Sequence, residues 1–594
     1  MITKKELIQR DLYLKKFYLN QLMGPLPESL YERKPWLNNY PEKPITTINL
    51  SNTLYDNYIE ATKERLEKPV IFSPRTGKRY TNEELINMIN SAINTFSKMG
   101  ITSNTNVGIM LLESVEEAVS LLALNKIGCT LKYIDYMKSV PAMIESVEHA
   151  NIDLFIADIA FLELVPMLNS QNKPCIIANS PIELNNGLIP FEHLYTSSNI
   201  IEKNIPPYDE DKITVKINSS GTTGNSKPIN HTNYSINAAA QKMLYSGYPI
   251  SEGNVLIKNI PSPIGLGLIT TLYTGLISGA EIVMLTVEGN TEKDTANFNA
   301  FINNFKQYKK RFNLSEDAKI SAFTAPFFIR SLIKDQNVTD LSDVGALLGA
   351  GSKMSEKELE ELETIANTKG YHKPICNGYG QNEMAGAIAL NTLNANTNGS
   401  AGYPVIGTEI LVVDQHTYEI LPPNEEGLII ERSSSSFNNY DNMPEETRKA
   451  FITMPNGEIW FNSNDLGYMN EKGFIFITGR TNRIVIKNDF KISLDDIELK
   501  INKLPFIKDC ATIISSSGGS MEEIAVFIES SQEIPEEEII KQINECEQLS
   551  QFEMPSEFYF VAKVPYKENG KKDYQQLKKM RKELAISRVK TLKK

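Results

Sequence analysis

The chain has 594 residues, more than a single hydrophobic core usually supports, so a large body with at least one smaller domain is expected. Apolar residues at 41% and charged residues at 23% are ordinary for a globular protein and argue against a disordered chain. A formal net charge of -12, with no long basic stripe in the main body, argues against nucleic acid as a partner.

The first twenty-one residues, MITKKELIQRDLYLKKFYLNQ, alternate charged with apolar positions and lack the unbroken hydrophobic run of a secretory signal. They read as an amphipathic helix packed on the body. From Thr53 to about Asp414 helix-like stretches alternate with short β-branched runs, the pattern of an α/β architecture. Helices are predicted over Thr81 to Met99 and Val115 to Ile127, the second closed by Gly128. Strands are predicted at Val107 to Leu111, Leu154 to Ala157 and Glu281 to Leu285. Asn259 to Ala280 is long and uncharged enough to raise the question of a membrane span. Its content of Pro261, Pro263, Gly265, Gly267, Gly275 and Gly279 points instead to a buried loop and helix, so no membrane span and a cytoplasmic location are expected. Ser433 to Ser436 and the following FNNYDNMPEE read as an exposed loop without chemistry. Strand-like runs at Phe474 to Thr478 and Arg483 to Lys487 flank a junction, which leaves about a hundred residues for a small α+β domain.

The five cysteines lie far apart without a CxxC pair and read as reduced, mostly buried thiols. The five histidines never reach the spacing of a metal-binding helix face, so no catalytic zinc is expected.

Ser219-Ser220-Gly221-Thr222-Thr223-Gly224-Asn225-Ser226-Lys227 follows a β-like alternation at Ile213 to Ile217 and gathers hydroxyls and glycines around one lysine. Glycines admit an anion close to the backbone, N–H groups and hydroxyls donate to it, and Lys227 adds a point charge. The run is a candidate phosphate cradle, though not of the GxxxxGK[ST] form.

The stretch SSGTTGNSKPINHTN resembles the signature loop of the AMP-forming adenylating superfamily: acyl- and aryl-CoA synthetases, adenylation domains of peptide synthetases, and luciferases. Further segments resemble that family in order, from KPWLNNYPE at Lys34 to Tyr574. Gly349-Ala350-Gly351 is similar to the small-residue segment against the adenine. Asn377-Gly378-Tyr379-Gly380-Gln381-Asn382-Glu383 resembles NxYGxTE, which implies Tyr379 near adenine, Glu383 holding magnesium, and Asn382 at the threonine position. WFNSNDLG is similar to YxTGDLG, which implies Asp465 on the ribose hydroxyls. Gly479-Arg480 resembles the GR at the domain junction, with Arg480 on ribose or phosphate. VPYKENGK resembles PxTxNGK and implies Lys571 as the catalytic lysine. The resemblance implies an α/β fold with a large N-terminal body of sheets flanked by helices over residues 1–479, a hinge at 480–482 with Asn482 where relatives carry Asp or Lys, and a small mobile α+β domain over 483–594.

The implied chemistry is attack of a carboxylate on the α-phosphate of ATP, loss of pyrophosphate, and transfer of the acyl group to a thiol. Two anions must meet, so fixed positive charge has to offset their repulsion. Lys571 serves the α-phosphate; Lys227, Thr222, Thr223 and Mg²⁺ on Glu383 serve the leaving pyrophosphate. Pro261 to Leu268 carries no carboxylate where relatives bind an α-ammonium, and the substrate-pocket candidates Ile264 and Gly265 are apolar, so a fatty or aryl acid is the expected substrate. CoA is the expected acceptor. Relative to the family loop IKxxGFxI, Ile486 falls at the usual lysine and Asp489 at the usual glycine, which keeps open an enzyme loading the phosphopantetheine of a separate carrier protein. A catalytically inactive nucleotide-binding regulator is the alternative of another class, opposed by the retention of Lys571, Glu383 and Asp465.

Overall fold

A computed structural model of the chain describes residues 3–20, 29–137, 140–148, 150–170, 173–181, 183–184, 187–197, 205–219, 227–487, 490–515, 523–531, 534–546, 549, 553–567 and 571–592. A nine-stranded sheet has a parallel centre in the spatial order Ile375–Gln381, Val344–Ala350, Ile320–Thr324, Val255–Lys258, Glu281–Met284, Pro69–Ser73, with antiparallel strands at both edges. An eight-stranded sheet runs Ile213–Asn218, Thr130–Tyr133, Asn106–Met110, Leu154–Asp158, Cys175–Ala178, Ile189–Pro190 in parallel, and antiparallel Pro228–Thr232 and Asn439–Tyr440 extend it. Helices cover both, so strands such as Leu154–Asp158 are buried throughout instead of alternating. A five-stranded antiparallel sheet contains Thr408–Val413, Gly427–Ser433, Ile459–Met469, Phe451–Thr453 and Ile475–Arg480.

The predicted helices form where their capping residues direct. Helix Asn82–Lys98 starts at Thr81, whose hydroxyl accepts from Glu84 N–H while the Glu84 carboxylate accepts from Thr81 N–H. Val115–Ile127 ends at Gly128, which takes φ +87. This helix is buried on nearly every face because it belongs to the largest core cluster, with Asn233–Leu244 and Leu266–Tyr273.

Asn259 to Ala280 is a buried loop and helix, as expected, but its first part, Leu266–Tyr273, is a π-helix. Gly267 enters that turn because a Cβ there would lie 2.3 Å from the carbonyl oxygens of both Ile260 and Pro261. Among the described residues no helix is long and apolar enough to cross a membrane.

The N-terminal helix Lys4–Asn20 packs on the body through Leu7 and Ile8 and through a buried charge. Asp11 Oδ1 lies 2.5 Å from Lys34 Nζ, its Oδ2 accepts from Gly407 N–H at 2.8 Å, and Lys34 also meets Glu409 at 3.0 Å. All three side chains are almost completely excluded from water, so the pair is intolerant of losing one member. Asp11→Ala is expected to destabilise the protein by about 3–5 kcal/mol, read as a lowered urea midpoint, because Lys34 keeps its buried charge. A midpoint unchanged from wild type would show the helix to be dispensable.

The serine run does not form the exposed loop expected from its composition. Ser433, Ser434 and Ser435 are buried, Asn439–Tyr440 joins the eight-stranded sheet, and Pro444–Lys449 is a helix. The cause is Lys242, a fully buried lysine on Asn233–Leu244 whose Nζ donates to Ser433 Oγ at 2.7 Å and Ser435 Oγ at 2.5 Å. A buried ammonium requires acceptors, and the hydroxyls supply them.

Beyond Arg483 the chain builds its own core, in which Val485, Leu494, Ile497, Val526, Ile528 and Ile539 pack without any side chain of the large body among the described residues. It consists of the hairpin Ile484–Lys487 and Phe490–Ser493, the sheet Ile507–Ile514, Ile524–Ser530, Glu557–Phe560, and flanking helices.

Candidate active site

Parallel pairing assembles the first group of predicted residues. Gly349 is in register with Asn377 and Ala350 with Gly378, and Gly351 follows with φ +93. Asn377 is buried, and its amide donates to the carbonyls of Met354 and Ser400 at 3.1 and 3.3 Å. Gly380 must be glycine, since a Cβ would lie 2.3 Å from Gly386 O on the adjoining strand. Tyr379 donates its hydroxyl to Asp465 Oδ2 at 2.6 Å, and Gln381 donates to the same oxygen at 3.2 Å. Asp465 sits opposite Arg480 in the antiparallel ladder, and Arg480 Nε is 2.8 Å from its Oδ1. Burial and the Asp465 charge push the Tyr379 hydroxyl well above its usual range, so it acts as a donor at every working pH.

Glu383 stands on a short turn, Asn382–Met384, beside this group. Its backbone carbonyl accepts from Phe437 N–H at 2.7 Å and its Oε1 from the Tyr440 hydroxyl at 3.0 Å. Its pKa is raised, by burial first, against the lowering influence of Tyr440, Arg480 and Lys227. Asn382 is committed on both ends of its amide: Oδ1 accepts from Gly265 N–H at 3.0 Å and Nδ2 donates to Asn218 O at 2.6 Å. It thereby ties the pocket segment with Ile264 and Gly265 to the strand that leads into the phosphate loop. Ile264 is partly buried against the second apolar cluster. His231, which sequence reading passed over, accepts no proton near neutrality, since burial lowers its pKa to about 4. Its Nε2 is 2.7 Å from Asn382 O, so a neutral ring with Nε2–H holds the turn in place.

The phosphate loop leaves and rejoins the sheet at a closed neck. Ser219 N–H donates to Lys227 O at 2.8 Å, and Lys227 N–H donates to Ser219 Oγ at 3.0 Å. Ser220, Gly221, Thr222, Thr223 and Gly224 lie outside the described residues. Lys227 Nζ is 2.9 Å from Glu446 and stands over the Tyr440 ring at 4.8 Å, the same tyrosine that donates to Glu383.

Lys571 comes from the C-terminal core. Lys567 N–H donates to Lys571 O at 2.7 Å. Burial, and next the neighbouring Arg480 charge, lower its pKa to about 8, opposed by Asp465 and Glu383. The ammonium therefore lies within electrostatic reach of Arg480, Asp465 and Glu383. Between the two bodies, Arg480 is anchored to Asp465, whereas Arg483 is anchored to Asp495, to Glu498 at 2.6 Å and to the Tyr574 ring at 3.7 Å. Thr481 and Asn482 bridge the two anchors in a single 3₁₀ turn. The side chains of Asn482, Ile486 and Asp489 lie outside the described residues.

The Lys242 network lies directly behind Glu383. Ser435 Oγ donates to Met384 O at 2.6 Å, and Lys242 reaches Ala387 O at 3.3 Å. Burial lowers the Lys242 pKa to about 7, whereas burial and then the Asp465 charge raise the fully buried Glu431 to about 8. For Lys242 the folded pKa is below the unfolded value, so from about 7 to 10 the unfolded chain binds more protons and stability rises with pH. The thermal stability of wild type relative to Lys242→Met is therefore expected to improve between pH 7 and 9 (a window set by that shift). A flat difference would mean that Lys242 stays charged.

The arrangement can hold a nucleotide by ribose and base edges and set an anion against Lys227 and Lys571, and the charges of Glu383 and each of these lysines are felt by one another. Among the described residues no group of three or more His, Cys, Asp or Glu side chains could hold a metal alone. One carboxylate next to a phosphate site does fit magnesium, which usually takes one or two carboxylates together with phosphate oxygens and water.

Comparison with known proteins identifies the family and the fold. The profile of the family described as AMP-binding enzyme matches residues 59–441. The provisionally named acyl-CoA ligase YdaB of Bacillus subtilis (strain 168) is 32% identical over 262 residues, covering 43% of this chain, and the match spans about half, 49%, of that protein's length. The 4-coumarate–CoA ligase 3 of Oryza sativa subsp. japonica is 21% identical over 541 residues, 89% of this chain and 92% of that one. The solved anthranilate CoA ligase AuaEII in complex with anthranoyl-AMP superposes with TM-score 0.76 at 19% identity, covering 91% of this chain and 99% of that one. It shows the same fold, with a large sheet-rich body, helices and a C-terminal domain.

Proposed function

Because the chain belongs to the AMP-binding enzyme family, we propose that it is an AMP-forming acid–thiol ligase, which joins a fatty or aryl carboxylic acid to ATP as acyl-AMP, releases pyrophosphate, and passes the acyl group to CoA. The observation that carries this reading is that Lys571, from the C-terminal part of the chain, feels the charges of Arg480, Asp465 and Glu383, residues that the Tyr379–Asp465–Arg480 contacts gather on the large body.

The acid's carboxylate attacks the α-phosphorus, a P–O bond forms, and the bond to the β-phosphate oxygen breaks. Asp465 accepts from the ribose hydroxyls, and Gly349, Ala350, Gly351, Asn377, Gly378, Tyr379 and Gly380 line the nucleotide. Lys571 neutralises the meeting anions at the α-phosphate, while Lys227 and the loop from Ser219 hold the leaving pyrophosphate. Glu383 is the residue that would hold Mg²⁺, whose charge offsets that of the phosphates when bound. Ile264 and Gly265 border the acyl chain. Asn382 positions rather than touches phosphate, because both ends of its amide are engaged.

Residues 1–479 form the nucleotide-binding body, 480–482 the hinge and 483–594 the mobile domain in this reading. Support comes from the anchors at Arg480 and Arg483, which leave Thr481 and Asn482 to absorb a rotation. After adenylation the rotation withdraws Lys571 and admits the thiol.

The test is exchange of labelled pyrophosphate into ATP across a panel of fatty, aryl and α-amino acids, with hydroxylamine trapping of the adenylate. Exchange with fatty or aryl acids is expected. No exchange with any acid, or exchange confined to glycine and alanine, overturns the reading. Adding CoA, or a carrier protein bearing phosphopantetheine, then identifies the acceptor, with acyl-CoA as the expected product.

A further inference from the structure

We propose that the buried serine run is a clamp for Glu383: Lys242 and Ser435 are positioning residues that hold the turn Asn382–Met384 from behind, and they thereby set how tightly the site takes magnesium together with its nucleotide. The inference rests on the ligase reading, which gives Glu383 the metal, and adds the groups that keep Glu383 in place.

Each of the three carbonyls of the turn is engaged. Asn382 O is 2.7 Å from His231 Nε2, Glu383 O accepts from Phe437 N–H at 2.7 Å, and Met384 O accepts from Ser435 Oγ at 2.6 Å. Tyr440 adds a hydrogen bond to the Glu383 carboxylate itself at 3.0 Å. Ser435, Phe437 and Tyr440 all belong to the stretch SSSSFNNY, whose composition reads as an exposed loop. The backbone beyond the turn requires such fixing, because Ala385 takes φ +57, a left-handed conformation that a residue with a Cβ keeps only when its surroundings enforce it.

Donor directions make Lys242 the origin of the clamp. A carbonyl oxygen only accepts, so the Ser435 hydrogen is committed to Met384 O and the Ser435 oxygen must receive from another group. Lys242 Nζ donates to it at 2.5 Å, to Ser433 Oγ at 2.7 Å and to Ala387 O at 3.3 Å, one acceptor for each hydrogen of an ammonium. Lys242 and Ser435 are both buried, so bulk water cannot take over either role. From the outer side Lys4 Nζ donates to Ser436 O at 2.6 Å, so lysines grip the run from two directions.

A carboxylate that meets a metal has to be aimed, and removing a group that aims it from behind typically lowers metal affinity by about 10–100-fold. Ser435 acts through the residue next to Glu383, which puts its effect at the lower end of that range. Ser434 supplies the internal comparison. It lies in the same run and is equally buried, but its hydroxyl makes no hydrogen bond, so its loss leaves the clamp intact.

The experiment measures, by calorimetric titration of the full chain without acid substrate, the binding of ATP with magnesium in excess and of ATP with EDTA. Wild type is expected to bind the magnesium form more tightly, and Ser435→Ala to lose about tenfold for that form alone. Lys242→Met, which removes the donor to Ser435, should show a selective loss of the same kind, and Ser434→Ala should bind both forms as wild type does. Equal losses for the two forms in Ser435→Ala, no loss for the magnesium form in Ser435→Ala or in Lys242→Met, or a loss in Ser434→Ala as large as in Ser435→Ala would each overturn the inference. If Ser435→Ala does not fold, Ser435→Cys, close in size but a weak donor, carries the same comparison. Pyrophosphate exchange by wild type tests the ligase reading separately: exchange without a selective loss in Ser435→Ala overturns this inference alone, and a selective loss without exchange overturns the ligase reading alone.

Discussion

Lys571→Ala will slow acyl-adenylate formation by on the order of 10²–10³-fold while sparing thioester formation from supplied acyl-AMP. Adenylation brings two anions together, and the loss of a fixed ammonium at their junction is felt in the transition state more than in bound ATP. Thioester formation needs no charge at that point. The two half-reactions therefore part company in this variant, whereas general misfolding would depress both. Titration supplies a second signature. Burial and Arg480 lower the Lys571 pKa to about 8, so its charged form is lost as pH rises through that value. Wild-type exchange should fall on the alkaline side of about 8, and Lys571→Arg, which stays charged, should keep a flatter profile there whatever its absolute rate. Exchange in Lys571→Ala within about threefold of wild type would remove the lysine from the mechanism.

Local signals carried much of this architecture. The Thr81–Glu84 capping pair and Gly128 delimit their helices through contacts a few residues apart, which is why sequence reading places them well. Small residues at Gly349–Gly351 and the NGYGQNE run are equally local, and their strands lie side by side in register. What stayed illegible depends on partners distant in the chain. Four successive serines look like solvent-facing low complexity until Lys242, nearly two hundred residues earlier, is seen to take two of their hydroxyls. Asn382 is legible in sequence only as the occupant of the threonine position, whereas its amide joins Gly265 to Asn218. His231, four residues after Lys227, is illegible in sequence because a lone histidine acquires a role only through what it faces, here the Asn382 carbonyl. The π-helix Leu266–Tyr273 is illegible for a different reason: its 8 residues make too few turns to display a period, and the need for Gly267 comes from the carbonyls of Ile260 and Pro261 after the chain has turned.

Asp465→Ala will weaken ATP binding by on the order of 10²-fold, the usual scale for truncating one partner of a buried, hydrogen-bonded charge pair. The loss has three parts that a single measurement would merge. The ribose loses its acceptor, Tyr379 and Gln381 lose the oxygen that both donate to, and Arg480 keeps its guanidinium without its carboxylate. The last part reaches Lys571. Arg480 lowers the pKa of that lysine and Asp465 raises it, so removing Asp465 leaves the repulsion uncompensated. The alkaline limb of exchange must then move to lower pH than in wild type, even at saturating ATP. Asp465→Asn separates the contributions: an amide can still accept from Tyr379 but carries no charge, so it should recover part of the ATP affinity and none of the shift in the alkaline limb. An alkaline limb that stays in place in both variants would mean that Lys571 does not feel the Asp465–Arg480 pair. The C-terminal lysine would then work apart from the ribose site, and closure of the two bodies would no longer account for adenylation.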